Sequence, residues 1–311
     1  MRLPNFFIVG APKAGTSALS EYLGQHPNIF MAKPKESHFF ADDLPGMRTA
    51  HSLEQYLALF EPASDTHIAV GEASVWYLFS STALHNIRKF NPAARIILML
   101  RNPIELVYSL HSQSLMSTDE DLPDFRAAWR LQDERAAGRH IPETCREPAL
   151  LQYRYTVLLG KQLQNALKIF PKEQLHICLF DDFKRDTKSS YETTCDFLGV
   201  SKTPLPEFTI VNANKYYRSR RIAELVERPP EIFSRKILGF KLSHIRKLMR
   251  RLNSKTAPRQ IMDNALRKQL SEYFRTDIHL LETLIERDLS HWLVSVDSND
   301  SRGSQQDTGA A

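Results

Sequence analysis

Along the chain, short unbroken apolar runs take turns with longer stretches in which apolar residues recur every three or four positions. Asn5 to Gly10 holds four consecutive apolar residues, Phe6 to Val9, and ends at a glycine, which predicts a buried strand. From Thr16 onward Leu19, Tyr22 and Leu23 fall at helical spacing, and Gly24 with Pro27 supplies the stop. The opening unit is therefore strand, glycine loop, helix. A second run, Ile29 to Met31, leads into Lys33-Pro34-Lys35-Glu36-Ser37-His38-Phe39-Phe40, whose proline, charges and aromatics predict a loop entering a pocket. Further along, Ser52 to Phe60 and Ser80 to Phe90 read as helices, and Ile68 to Gly71 as a short strand. Arg95 to Leu100 is the strongest strand and stops at Arg101-Asn102-Pro103. Pro103 suits a first helical position, and Ile104, Val107, Tyr108 and His111 continue the period. An acidic, exposed stretch is expected from Thr118 to Arg139, then one long amphipathic helix from Tyr153 to Phe170 and a strand from Gln174 to Phe180. Tyr191 to Leu198 and Met262 to Leu289 complete the helices. Alternating strands and helices predict an α/β fold with a mainly parallel sheet flanked by helices on both faces.

Composition fits one domain of that kind over residues 1–293. The chain has 311 residues, 42% apolar and 25% charged, enough for a full core. The Ser, Asp and Gly rich end, 294–311, is expected to be disordered. A net charge of +5 suits an anionic ligand without requiring one. Cys145, Cys178 and Cys195 have neither paired nor metal-ligand spacing, so no disulfide framework and no metal site is expected. The apolar run near the N-terminus is too short for a secretory signal or a membrane span, and a soluble, cytoplasmic protein is expected.

The chemistry begins in Gly10-Ala11-Pro12-Lys13-Ala14-Gly15-Thr16-Ser17. A glycine-rich turn between a buried strand and a helix presents backbone N–H groups and the positive end of a helix dipole, which together favour a phosphate; the plain alternative is a tight turn. In nucleoside-triphosphate P-loops lysine follows the second glycine directly. Here Thr16 holds that place, Lys13 lies inside the loop, and Ser17 occupies the hydroxyl position. This P-loop-like arrangement disfavours ordinary ATP hydrolysis.

Pro12-Lys13-Ala14-Gly15-Thr16-Ser17-Ala18-Leu19 resembles the 5′-phosphosulfate loop of sulfotransferases that use 3′-phosphoadenosine 5′-phosphosulfate (PAPS), especially the heparan-type, carbohydrate and bacterial branches. Arg101 with Ser109, after the strand Arg95 to Leu100, is similar to that family's 3′-phosphate site, and an arginine at the carboxyl end of a parallel strand stands where such sheets bind ligands. A block from Val211 to Ser219 resembles the loop that closes over the nucleotide, which assigns Lys215 and Arg218 to donor binding; Tyr216 and Tyr217 can equally pack on the sheet. The resemblance runs from about Asn5 to Trp292 and implies a single domain around a five-stranded parallel sheet.

Sulfuryl transfer needs an aligned nucleophile, a proton acceptor and a group to meet charge on the departing oxygen. The resemblance implies Glu36 as base, and Lys13 can serve the leaving group. His38, two positions along a loop taken as extended, would face the same side and assist. Glu36 as a partner of Lys33 or Lys35, and His38 as a buried bonded residue, stay open. Where heparan-type relatives carry a lysine in a Glu-Lys-Thr-Pro-like segment, this chain has Glu72-Ala73-Ser74-Val75-Trp76-Tyr77, which puts a polyanionic acceptor in doubt. Trp76 and Tyr77 can line an acceptor pocket or belong to the core. The implied donor is PAPS, leaving adenosine 3′,5′-bisphosphate. The acceptor is a hydroxyl- or amine-bearing carbohydrate, glycolipid or carrier-bound metabolite.

Arg235 to Arg259 carries nine basic residues and no acidic one, beside an apolar face. Either a basic amphipathic helix touching a membrane or an anionic partner, or a surface helix packed on its own domain, fits this pattern. No nucleic-acid partner is expected. Two rivals remain: a P-loop kinase, which would place an aspartate where Arg101 stands, and a noncatalytic binder of membranes or polyanions whose salt-sensitive binding would survive Lys13→Ala.

Overall fold

The computed structural model describes residues 2–209, 215–217, 254–256 and 262–293. Five parallel strands form one sheet: β1 (Phe6–Gly10), β2 (Ile29–Met31), β3 (Ala69–Ala73), β4 (Arg95–Leu100) and β5 (Leu175–Leu179), in the order β2-β3-β1-β4-β5. Central strand β1 is buried on both faces, which is why Phe6 to Val9 reads as an unbroken apolar run rather than an alternating one. The chain leaves β1 toward one edge of the sheet and β3 toward the other, so the topological switch point lies at the carboxyl ends of β1, β3 and β4. In open parallel sheets the ligand crevice forms there.

Helices α1 (Thr16–Leu23), α2 (Leu53–Ala58), α3 (Ala83–Phe90), α4 (Pro103–Met116), α5 (Phe125–Arg130), α6 (Gln132–Ala136), α7 (Tyr153–Thr156), α8 (Leu159–Ile169), α9 (Phe180–Arg185), α10 (Thr187–Leu198) and α11 (Asn264–Ile285) pack around the sheet. Among them α8 lies on α3 and α11, α4 on α11, and α1 on α10. Asn102 starts α4 by accepting from Ile104 N, with Pro103 at the first helical position. Its amide nitrogen also donates to the Trp292 carbonyl at 3.1 Å, and the Trp292 indole donates to Asp181 at 2.7 Å. The last described segment thereby braces the carboxyl ends of β4 and β5.

Three expectations need correction. The helix expected from Tyr153 to Phe170 is interrupted after Thr156; α8 starts afresh because Asp277, on α11, accepts from Gly160 N and Lys161 N at 2.9 and 3.0 Å. A cap supplied from 117 residues away leaves no local sequence signal. The stretch from Thr118 to Arg139, expected to be exposed, is exposed only in part: it contains α5 and α6 and encloses the fully buried pair Glu120 and Arg135. The basic segment 235–259 and the nucleotide-closing block lie outside the described residues, apart from a two-stranded antiparallel ribbon, β6 (Lys215–Tyr217) with β7 (Ser254–Thr256). At Lys255 that segment is therefore strand rather than helix. Arg218 and the tail 294–311 also lie outside the described residues. Among the described residues no helix is long and apolar enough to cross a membrane.

Candidate active site

A cleft of about 510 Å³ opens at the switch point, and the loop after every strand of the sheet contributes to its wall. Lys13, Gly15, Thr16 and Ser17 follow β1, Glu36 follows β2, Val75 and Trp76 follow β3, Arg101 follows β4, and Phe180 follows β5. Helix α4 supplies a polar side wall that includes Ser109, Ser112 and Gln113.

One end of the cleft is built from the opening loop. Gly15 is the N-cap of α1 with φ 92°, a left-handed conformation that disfavours a side chain, and a Cβ there would press on Met99 and Phe180 at 3.2 Å. The helix start therefore shows bare N–H groups to the cleft, with no acidic residue in its first turn to compete for an anion. Arg101 Nη1 donates to the Lys13 carbonyl at 2.9 Å, and its guanidinium stacks 4.8 Å from the centre of the Phe180 ring. Lys13 Nζ donates to Gln113 Oε1 at 3.1 Å, tying the loop to α4. Ser109 is buried and faces the cleft from the same helix, next to which β6, with Lys215, runs. Ala14 is fully buried behind the loop. The structure thus brings Lys13, Gly15, Thr16, Ser17, Arg101 and Ser109 to one place. Backbone N–H groups, an ammonium and a forked guanidinium on one wall can hold anionic groups.

The loop carrying Glu36 is held from beneath. Glu72, on β3, is fully buried, and its carboxylate accepts from Ser37 Oγ (2.8 Å), Ser74 Oγ (2.9 Å), Tyr77 OH (2.8 Å) and Tyr56 OH (3.0 Å). Burial pushes the Glu72 carboxyl up, and the four hydroxyls act against that. Ser74 Oγ in turn accepts from His38 N at 3.1 Å, and Glu36 N donates to the Ala73 carbonyl at 3.0 Å. Glu36 stands on the cleft wall with 42% of its side chain exposed.

Here the structure departs from two expectations. Glu36 and His38 have φ of 66° and 47°, so the loop is not extended and the two side chains do not share a side. His38 is 1% exposed, lies off the cleft wall, and places Nδ1 3.1 Å from the Glu36 carbonyl oxygen. Burial pushes its imidazole down to about 4. It touches Glu36 only through the backbone. Tyr77 is likewise core: it is fully buried, and its hydroxyl is committed to Glu72 and to Phe40 N. Trp76 does line the cleft.

The opposite end of the cleft mixes apolar Met47, Val75, Trp76, Met116 and Leu150 with Asp119, Arg146 and Glu147. Arg146 grips Asp119 through Nε (3.0 Å) and Nη2 (2.5 Å), and Ser117 Oγ donates to the same carboxylate at 2.6 Å. Burial opposes ionisation of Asp119, but Arg146 and Ser117 hold it below the ordinary carboxylate range. Gly46 donates its N–H to Glu147, and a Cβ at Gly46 would fall 1.8 Å from the Arg146 carbonyl oxygen, so only glycine permits these two loops to meet. Beneath this wall Glu120 accepts both guanidinium nitrogens of Arg135 (2.6 and 2.7 Å), Tyr153 OH (2.8 Å) and two backbone N–H groups. Burial works against the Glu120 charge, yet Arg135 holds the carboxyl down at about 2.

Three residues that shape the site were not singled out from sequence: Gln113, and the pair Glu120 and Arg135. Lys35 was expected only as an ion partner of Glu36, from which its Nζ lies 3.9 Å, and its contact with Ser17 (2.8 Å) had no local signal. The others carry no local signal, because their partners are distant in the chain.

Compared with known proteins, the chain matches the sulfotransferase domain family over residues 3–282. The chain belongs to the sulfotransferase family. Among curated relatives of this chain, mouse (Mus musculus) carbohydrate sulfotransferase 15 is 27% identical, with 66% of the chain and 45% of that protein covered. Human (Homo sapiens) heparan sulfate glucosamine 3-O-sulfotransferase 6 is 26% identical, with 88% and 69% covered. The chain spans about half the length of the first of these relatives. A crystal structure of a sulfotransferase from Alicyclobacillus acidocaldarius is 30% identical and superposes with a TM-score of 0.71, covering 94% of this chain and 99% of that one. The single α/β domain with its parallel sheet is thus the architecture of a sulfotransferase.

Proposed function

We propose that this sulfotransferase moves a sulfuryl group from PAPS to a hydroxyl or amine, with a carbohydrate or glycolipid as acceptor. The observation that carries the proposal is the meeting, in one cleft, of the Lys13 loop and Arg101 with the carboxylate of Glu36. The loop N–H groups with Lys13 suit the phosphosulfate end of the donor, and Arg101 with Ser109 the 3′-phosphate, with Lys215 and Arg218 as further donor contacts. The bound donor supplies the sulfuryl electrophile. Glu36 takes the proton from the acceptor as its oxygen or nitrogen bonds to sulfur and the bond from sulfur to the bridging phosphate oxygen breaks. Lys13 meets the charge left on that oxygen.

Kinship with enzymes named for carbohydrate and heparan sulfate acceptors supports a carbohydrate. Trp76 on the cleft wall offers a face for a sugar ring. The donor reading is tested by calorimetry without magnesium: adenosine 3′,5′-bisphosphate should bind far more tightly than ATP, and preference for ATP would overturn it. A PAPS-dependent transfer assay across glycans, glycolipids, carrier-bound chains and phenols identifies the acceptor. Glu36→Gln should lower transfer by roughly 10²- to 10⁴-fold, the usual worth of a general base, while bisphosphate affinity stays nearly intact. Retained turnover would remove Glu36 from the role.

A further inference from the structure

We infer that Lys35 is a positioning residue that couples the donor loop to the base. Its Nζ donates to Ser17 Oγ at 2.8 Å and lies 3.9 Å from Glu36 Oε1. Ser17 sits in the first turn of α1 and Glu36 in the loop after β2, and both face the cleft. One ammonium therefore spans the two loops that must hold donor and acceptor in line.

The hydrogen-bond chemistry is directional. An ammonium has three protons to give and no lone pair, so Ser17 Oγ can only accept from Lys35. The Ser17 hydroxyl proton is then left for a different acceptor, and a charge-assisted bond to its oxygen makes that hydroxyl a stronger donor. An anionic group seated on the loop is such an acceptor. Lys35 thus orients and polarises Ser17 without needing to reach the donor itself.

Two further observations separate this from an ordinary surface ion pair. Only 25% of the Lys35 side chain is exposed, whereas lysine normally keeps its ammonium in water. The ammonium also makes its shorter contact with the hydroxyl of the loop, not with the neighbouring carboxylate. Burial pushes its pKa down, and Glu36 and then Glu21 act against that. The strand segment beside Glu36, Glu72-Ala73-Ser74, supplies no cation, and Glu36 N is bonded to the Ala73 carbonyl. Among the described residues the cation within reach of the base is its own neighbour, Lys35.

This inference rests on the proposed donor, and its test separates the two. Bisphosphate affinity by calorimetry, and kcat and KM for PAPS, would be measured for wild type, Lys35→Met, Ser17→Ala, the double variant and Lys35→Arg, with melting curves to confirm folding. Lys35→Met should weaken bisphosphate binding by about tenfold and lower kcat by at least as much, because it loosens both loops. In the Ser17→Ala background the same change should weaken bisphosphate binding less than twofold further, since its route to the donor passes through Ser17. Lys35→Arg, which can still donate to Ser17, should keep bisphosphate affinity within about threefold and remains informative if the methionine variant does not fold. Multiplying effects in the double variant, or wild-type kcat and affinity in Lys35→Met, would overturn the coupling. Failure of the wild type itself to bind the bisphosphate would instead sink the proposed donor.

Discussion

The two ends of the cleft each rest on a buried carboxylate, and the two are satisfied in opposite ways. Glu72, under the Glu36 loop, accepts from four hydroxyls. Glu120, under the wall of Asp119 and Arg146, is clamped by two nitrogens of Arg135 and held charged, its carboxyl at about 2. A charged pair with distant partners fixes one geometry firmly but needs every member present. Hydroxyls can turn and share, so the Glu72 network tolerates adjustment of the loop above it. The Glu36 side of the cleft thus sits on an adjustable support, while the wall of Asp119 and Arg146 sits on a locked one.

That contrast can be broken, with the largest effect first. Glu120→Ala should destabilise the fold by about 3–5 kcal/mol by taking the bidentate partner from the buried Arg135 guanidinium, which keeps only Asp121 at 3.6 Å and the His140 carbonyl, read as a shifted urea midpoint. A loss below 1 kcal/mol would mean that the pair is not a lock.

Next comes acid. Both ends hide an imidazole kept neutral by burial: His38 in the Glu36 loop, pushed down to about 4, and His111 on α4, pushed down in the same direction. An unfolded histidine takes its proton near 6.5. Between about pH 6.5 and 4 the unfolded chain therefore binds more protons than the folded one, and stability falls as pH falls through that window. His38 alone should contribute on the order of 3 kcal/mol to this fall, and His38→Gln should flatten it in denaturant titrations at pH 7, 5.5 and 4.5. An unchanged slope would mean that His38 is not held neutral.

Arg101→Ala removes a charged hydrogen-bonding group from the donor end and should weaken bisphosphate binding by about 1.5–3 kcal/mol, roughly ten- to a hundredfold. The same calorimetry on Glu147→Gln, at the acceptor end, should show unchanged affinity; equal losses in both would erase the distinction between the ends. The smallest expected effect belongs to Tyr77→Phe. Three hydroxyls would still serve Glu72, so the loss should be near 1 kcal/mol in thermal unfolding, and a loss above 3 kcal/mol would show that the Glu72 network is as rigid as its counterpart.

Local signals located most of the sheet and half of the site. Apolar runs ending at glycine or at Arg101 marked β1 and β4 closely, because a strand buried on both faces must be apolar throughout. The displaced Lys13, and Arg101 at a strand end, were legible because backbone topology alone carries both to the switch point. The two readings of His38 and of Tyr77 stayed open in sequence because the direction of a side chain in an irregular loop depends on φ values and buried partners, here Glu72 and the Glu36 carbonyl, that no spacing rule contains.

By itself, then, the sequence determined which segments are strands, that they run parallel, and which cations stand at their carboxyl ends, since these follow from periodicity and chain connectivity. Only the tertiary structure decided that Glu36 faces the cleft while His38 does not, that Lys35 belongs to Ser17, and that part of the stretch expected to be exposed is a wall anchored by Glu120 and Arg135. Those outcomes depend on which polar groups are buried together, and burial is a property of the packed chain.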